Sequence, residues 1–213
     1  DCSRLIVAIE GTDFSKHSDV YSQLTQHKNQ EGVNSAYYQS AMVAIDAIVN
    51  WTNVDWEYVD HIDVTGHSKG GAVAMLIAYY LPRMVTEKHD FPRMDAKFWE
   101  DKGVFGGQRT IEEKKLYEDK LYSKVRLATF GSPYVCTSEF AANFNSKISL
   151  NQAWRVFNPL DPVRNAWRFT LFKAGSAAEH IGTDVEVSFP LGDQRRTTGV
   201  CGMVGAHDIY NYA

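Results

Sequence analysis

The run Gly66-His67-Ser68-Lys69-Gly70-Gly71 sets a hydroxyl between glycines at positions −2 and +2, directly after the partly apolar stretch 59–65. Those types at that spacing suit nucleophilic attack by Ser68 on an acyl carbon, if a strand turns sharply into a helix with the serine at the apex. Such a turn has no space for side chains at 66 and 70. Ala72, Met75, Leu76, Ala78 and Leu81 continue the pattern as an apolar helix, predicted to end at Pro82. A neutral hydroxyl is a poor nucleophile, so the chemistry also needs a base, an orienting carboxylate and donors for the developing oxyanion. In chains built around this turn the acid and then the histidine follow the serine, which leaves His89, His180 and His207 as candidate bases. His89 lies in the charged run Glu87-Lys88-His89-Asp90, ahead of any acid on a later strand, and is the weakest of them. Asp161 is the best acid: it follows the strand-like run 154–158 in the turn Pro159-Leu160-Asp161-Pro162, where an open α/β sheet gathers its functional groups. The alternative for Asp161 is that an aspartate before a proline simply makes a turn. His207 precedes a predicted terminal helix, whereas His180 opens the strand-like run 185–189.

The elements needed to hold these groups are legible around them. Residues 35–51 place Tyr38, Ala41, Met42, Ile45, Ile48 and Val49 at a helical period that should cover one face of a sheet. Strands alternate with helices along the chain, predicting an α/β fold with a mainly parallel central sheet flanked by helices and joined by right-handed crossovers. The 213 residues, 44% hydrophobic and 13% aromatic, suit one globular domain with its own core. No internal repeat or low-complexity tract divides the chain.

The chain resembles the class 3 lipases, the α/β-hydrolase family of fungal triacylglycerol lipases and feruloyl esterases. Leu5-Ile6-Val7-Ala8-Ile9-Glu10-Gly11-Thr12 is similar to the family's first central strand with its Gly-Thr oxyanion turn, and Gly32-Val33-Asn34-Ser35-Ala36-Tyr37-Tyr38 to the segment entering the next helix. The stretch from Val64 to Ala72 resembles the elbow, including His67 before the serine. Arg126-Leu127-Ala128-Thr129-Phe130-Gly131-Ser132-Pro133 is similar to the following strand and turn, and Val156-Phe157-Asn158-Pro159-Leu160-Asp161-Pro162-Val163 to the acid loop. The residues around His180 resemble a family strand whose histidine is not the base, and His207-Asp208-Ile209-Tyr210-Asn211-Tyr212 resembles the catalytic-histidine segment. The resemblance implies Ser68 as nucleophile, His207 as general base and then acid, and Asp161 orienting it. It further implies an oxyanion hole from the backbone N–H groups of Thr12 and Lys69, with the Thr12 hydroxyl a further donor. Lys69 stands where the family usually has leucine, Glu10 replaces an arginine and Asn34 a histidine. The activity implied is a serine carboxylic-ester hydrolase acting on acylglycerols or similar esters. Phospholipase A1 or feruloyl esterase activity, and a non-catalytic binding protein on the same fold, are the alternatives.

The net charge of −4 gives no electrostatic reason to expect nucleic acid as a partner, and no apolar run approaches the roughly 20 residues that cross a bilayer. No cofactor is expected, since neither metal-ligand spacing nor a phosphate-binding glycine loop occurs. The expected partner is a small-molecule or lipid ester, with transient contact at a lipid interface and the oligomeric state left open. Cys2, Cys136 and Cys201 are read as free thiols, without an assigned disulfide. No signal peptide is visible before the first strand, a start compatible with processing or trimming; the family resemblance leans toward secretion. Residues 13–31 are too polar for a hydrophobic lid. Residues 83–122 read as an insertion with a charged helix over 110–120; topology gives it a packing or partner-binding role rather than that of a cap. Trp167 and Phe169, after the acid turn, and His67 are the candidate pocket residues, with core packing the alternative for the two aromatics.

Overall fold

The computed structural model describes residues 3–11, 28–51, 54–88, 110–161, 163 and 178–187. In chain order the elements are β1 (Arg4–Ile9), α1 (Ser35–Trp51), β2 (His61–His67), α2 (Lys69–Lys88), α3 (Ile111–Lys124), β3 (Val125–Phe130), β4 (Cys136–Thr137), α4 (Ser138–Lys147), β5 (Ala153–Phe157), β6 (Ala178–Glu179) and β7 (Thr183–Glu186). Alternation along β2 sends Ile62, Val64 and Gly66 to a dry face and His61, Asp63, Thr65 and His67 to a wetter one. Its neighbours keep the same period. Five parallel strands therefore lie in the order β1-β2-β3-β5-β7, with Val7, Val64, Leu127 and Ala153 paired in succession and all buried. On the opposite face the row is Ala8, Thr65, Ala128 and Trp154, and the ion pair Arg4–Asp63 (3.0 Å) spans β1 and β2. The short strands β4 and β6 form a separate antiparallel pair.

The helix behind the elbow, α2, packs on β1, β2 and β3 and against α1 and α3. It is apolar around most of its circumference, as a helix enclosed on several sides must be. Its length corrects one expectation. The helix runs through Pro82 and ends only at Lys88. A proline inside a helix removes a hydrogen bond and costs about 3 kcal/mol. Burial of Leu81, Pro82, Val85 and Thr86 offsets that cost, and the Thr86 hydroxyl donates to the Pro82 carbonyl (2.9 Å). Asn34 caps α1 by accepting from the N–H groups of Ala36 (2.9 Å) and Tyr37 (3.3 Å).

The charged helix predicted over 110–120 is α3, and it is longer. Thr110 and Glu113 form a reciprocal capping box, and the helix continues to Lys124, where the chain enters β3 directly. Its Tyr117, Leu121 and Tyr122 are buried, and the Tyr122 hydroxyl donates to the Tyr79 carbonyl of α2 (2.7 Å). Both described ends of the stretch read as an insertion, 83–88 and 110–122, are thus helical and tied to the core; 89–109, with Phe98 and Trp99, lies outside the described residues. Tyr79 also meets Phe140 and Phe144 of α4, with ring centroids 4.8 and 5.9 Å apart, which joins three helices around one ring. His180 does not open β7 as the sequence suggested: it lies between β6 and β7, and Gly182, at φ 94°, turns the chain before β7 begins at Thr183. A positive φ there favours glycine.

Arg155 is 1% exposed on the dry face of β5. Its Nε and Nη2 donate to the two carboxylate oxygens of Asp184 on β7 (2.9 and 2.6 Å), and the guanidinium lies 4.4 Å from the Phe157 ring centre. Removing the acceptor from a buried guanidinium costs more than removing both charges. Asp184→Ala is therefore expected to lower unfolding stability by about 3 kcal/mol, read from the urea midpoint, with the double variant Arg155→Met, Asp184→Asn recovering part of the loss. Equal losses in the single and double variants would show that packing rather than charge holds the pair.

A parallel sheet flanked by helices, with the sharp turn at the end of β2 feeding the central helix, is an α/β-hydrolase fold.

Candidate active site

β2 ends at His67, α2 begins at Lys69, and Ser68 alone makes the turn between them. Its φ of 55° is the left-handed conformation that side-chain-bearing residues seldom adopt. Neighbouring backbone holds it there. The Ser68 N–H donates to the Phe130 carbonyl at the end of β3 (2.9 Å), and the Ser68 carbonyl accepts from Gly71 (3.0 Å) and Ala72 (3.2 Å). The glycines explain the close approach: a Cβ on Gly66 would run into the Gly70 carbonyl, and one on Gly70 into the main chain of Ile9 and Glu10. Gly71 is equally restricted, since a Cβ there would stand 2.9 Å from the Gly66 carbonyl oxygen.

The turn leaving β1 closes on the same point. A Cβ on Gly11 would lie 2.9 Å from the His67 carbonyl oxygen and 3.6 Å from the Ser68 Cβ, so the main chain just before Thr12 runs against the serine. Thr12 itself lies outside the described residues. Lys69, half-buried, is the first helical residue of α2, where an N–H has no intrahelical acceptor and the helix dipole favours negative charge. His67 is half-buried at the end of β2, on the wetter face, in register with Phe130.

Two strands along from β2, β5 leads into the acid loop. Asp161 is 1% exposed, and one carboxylate oxygen, Oδ1, accepts from the Val163 N–H (2.8 Å). Because the strands are parallel, Ser68 and Asp161 leave the sheet along the same edge. Strand spacing separates β2 from β5 by about 10 Å, a gap that one imidazole hydrogen-bonded at both ends can bridge. His207, Trp167 and Phe169 lie outside the described residues; the structure places Ser68, between His67 and Lys69, at the elbow, and Asp161 two strands away along the same edge of the sheet.

Between those strands the loop after β3 carries Ser132, buried beside Gly71, and Tyr134, whose ring lies flat on His180 with centroids 3.7 Å apart. His180 is thus engaged in packing against this loop. Cys136 of β4 is a free thiol whose Sγ approaches the Glu179 carbonyl (3.7 Å). Burial pushes its pKa up, which keeps it protonated and unreactive; Cys2 and Cys201 lie outside the described residues. Among the described residues no cluster of side chains could hold a metal ion, and no helix is long and apolar enough to cross a membrane.

Gly11, Gly71 and Asn158 were not singled out from the sequence for the site. Gly71 was hidden by its neighbour Gly70, and Gly11 was read only as part of a turn. Asn158 carries a local signal, an asparagine before proline, which starts turns.

Residues 7–97 match the family model of Lipase (class 3). No curated protein matches the chain. Among solved structures it is similar to the Rhizomucor miehei lipase in a propeptide complex, at 22% identity over 73% of this chain and 38% of that one, with a TM-score of 0.43. It is also similar to M37 lipase (19% identity, 79% of this chain, 49% of that one, TM-score 0.49). A third is a triacylglycerol lipase whose catalytic centre is described as a serine protease triad (20% identity, 72% of this chain, 44% of that one, TM-score 0.41). The chain spans less than half the length of each of these three. The family match over residues 7–97 takes in most of β1, the elbow and the helix behind it, so the part of the chain similar to the class 3 lipases is the part that builds the turn at Ser68.

Proposed function

We propose that the protein is a serine carboxylic-ester hydrolase that works through an acyl-enzyme on acylglycerols or similar esters. The observation that carries this reading is the conformation of Ser68, held at φ 55° at the edge of the sheet with the Gly11 turn against it and a helix N-terminus behind it. Strained conformations of this kind persist where surrounding structure over-determines them, and they cluster at reacting centres.

In the proposed mechanism the imidazole of His207 takes the Ser68 proton as Oγ attacks the ester carbonyl carbon. The carbonyl oxygen becomes an oxyanion, held by the N–H groups of Thr12 and Lys69. Collapse of that intermediate breaks the carbon–oxygen bond, and the imidazolium protonates the leaving alcohol. Water, deprotonated by the same imidazole, then attacks the acyl carbon and frees the acid, while Asp161 orients and stabilises the imidazolium throughout. Each oxyanion donor is worth about 3 kcal/mol of transition-state stabilisation. Trp167, Phe169 and His67 are assigned to the acyl pocket on the same reading. Because the base must be unprotonated, the rate rises with pH through the histidine pKa and is highest from neutral to mildly alkaline conditions.

A panel of p-nitrophenyl esters from acetate to palmitate, beside a phospholipid and a feruloyl ester, tests the reading. Short and medium chains are expected to turn over, and a fluorophosphonate probe is expected to label the folded protein stoichiometrically. A folded protein that neither hydrolyses any ester nor takes the label is a binding protein instead.

A further inference from the structure

We propose that Asn158 is a positioning residue that sets the carboxylate of Asp161 through the acid loop; the inference rests on the ester-hydrolase reading above. Asn158 is 1% exposed although it lies in a turn whose tip, Leu160, is 52% exposed. Its side-chain Oδ1 accepts from the Leu160 N–H (3.0 Å), and its carbonyl oxygen accepts from the Asp161 N–H (3.0 Å). Asp161 in turn accepts from Val163 (2.8 Å). The backbone Asn158–Asp161 hydrogen bond thus links two consecutive side-chain-to-backbone turns, and the second one holds Oδ1 of the buried carboxylate.

The first turn is anchored at its base. The two carbonyls that lead into it are committed to neighbouring strands and loops: Val156 accepts from Gly131 (3.0 Å) and Phe157 from Val187 (2.9 Å). Pro159 locks one backbone angle and confines Asn158 to extended conformations. What remains adjustable is the peptide entering Leu160, and the Asn158 side chain holds that peptide. An alanine at 158 releases the Leu160 N–H and lets the loop carrying Asp161 settle elsewhere. Productive geometry for such a group has a tolerance of about 0.5 Å, so a small shift in this loop reaches the imidazole.

The test compares Asn158→Ala and Asn158→Asp with the wild type by fluorophosphonate labelling rate, by kcat and KM on one soluble p-nitrophenyl ester, and by the pH profile of kcat/KM. Asn158→Ala is expected to lower kcat about 10- to 100-fold with KM little changed, as loss of an outer-shell partner does elsewhere. Asn158→Asp keeps the acceptor and is expected to restore most of the rate at alkaline pH. It also adds a negative charge near the imidazolium, which raises the histidine pKa and moves the acid limb to higher pH. A residue that only supports the fold would change the melting temperature and leave kcat, measured well below melting, and the acid limb where they were; that result overturns the inference while the labelled wild type keeps the hydrolase reading. A folded wild type that takes no label and turns over no ester overturns both.

Discussion

Ser68→Ala is expected to reduce ester turnover by about 10⁴- to 10⁶-fold and to abolish fluorophosphonate labelling, with the urea midpoint nearly unchanged. The two effects separate because of where the residue sits. Both serine and alanine carry a Cβ, so the conformational cost at φ 55° is common to them, and the backbone bonds from Phe130 and to Gly71 and Ala72 involve no side chain. Only the hydroxyl is lost. A variant that unfolds would leave its inactivity ambiguous; this one keeps the elbow intact, and a folded Ser68→Ala protein with wild-type turnover would remove Ser68 from the mechanism.

Asp161→Asn is expected to lower kcat by about 10⁴-fold, the scale seen when a triad acid loses its charge. Asparagine can still accept from the Val163 N–H, so the loop is retained while the negative charge is lost. The sign of the pH effect is fixed by the same change. Without a carboxylate to favour it, the protonated imidazole becomes less stable, the histidine pKa falls, and the acid limb of the residual activity moves to lower pH. Stopped assays across pH 5 to 9 read both quantities. A variant with wild-type turnover and an unmoved acid limb would reduce Asp161 to a turn residue, the alternative its Asp-Pro sequence already offered.

The elbow was legible in the sequence because its demands are local: a strand, a residue in a left-handed conformation and a helix cannot follow one another without glycines where backbones touch, and Gly66 and Gly70 stand there. The central parallel sheet was legible for a similar reason, since β2 and β3 carry their alternation within a few residues. Long-range terms were not. Pro82 reads as a helix stop, and only the packing of α2 between the sheet and its neighbouring helices explains why the helix continues. The strand-like run 154–158 carries no local sign that Arg155 is buried, because its partner Asp184 is 29 positions away. The two-residue strands β4 and β6 have no period of their own and exist only because they meet. Asp161 could be placed at a strand's end from its sequence, but the paired turns that fix its carboxylate needed coordinates.

The backbone angle at Ser68 also bears on how the position would drift if turnover ceased to matter. Glycine adopts that conformation without strain, so on the ester-hydrolase reading a descendant freed from the need for a nucleophile would gain stability by discarding the whole side chain, Cβ included. Folding alone gives no reason to keep serine at the apex. On the ester-hydrolase reading, the strain at this one position is what the scaffold bears to present a nucleophile.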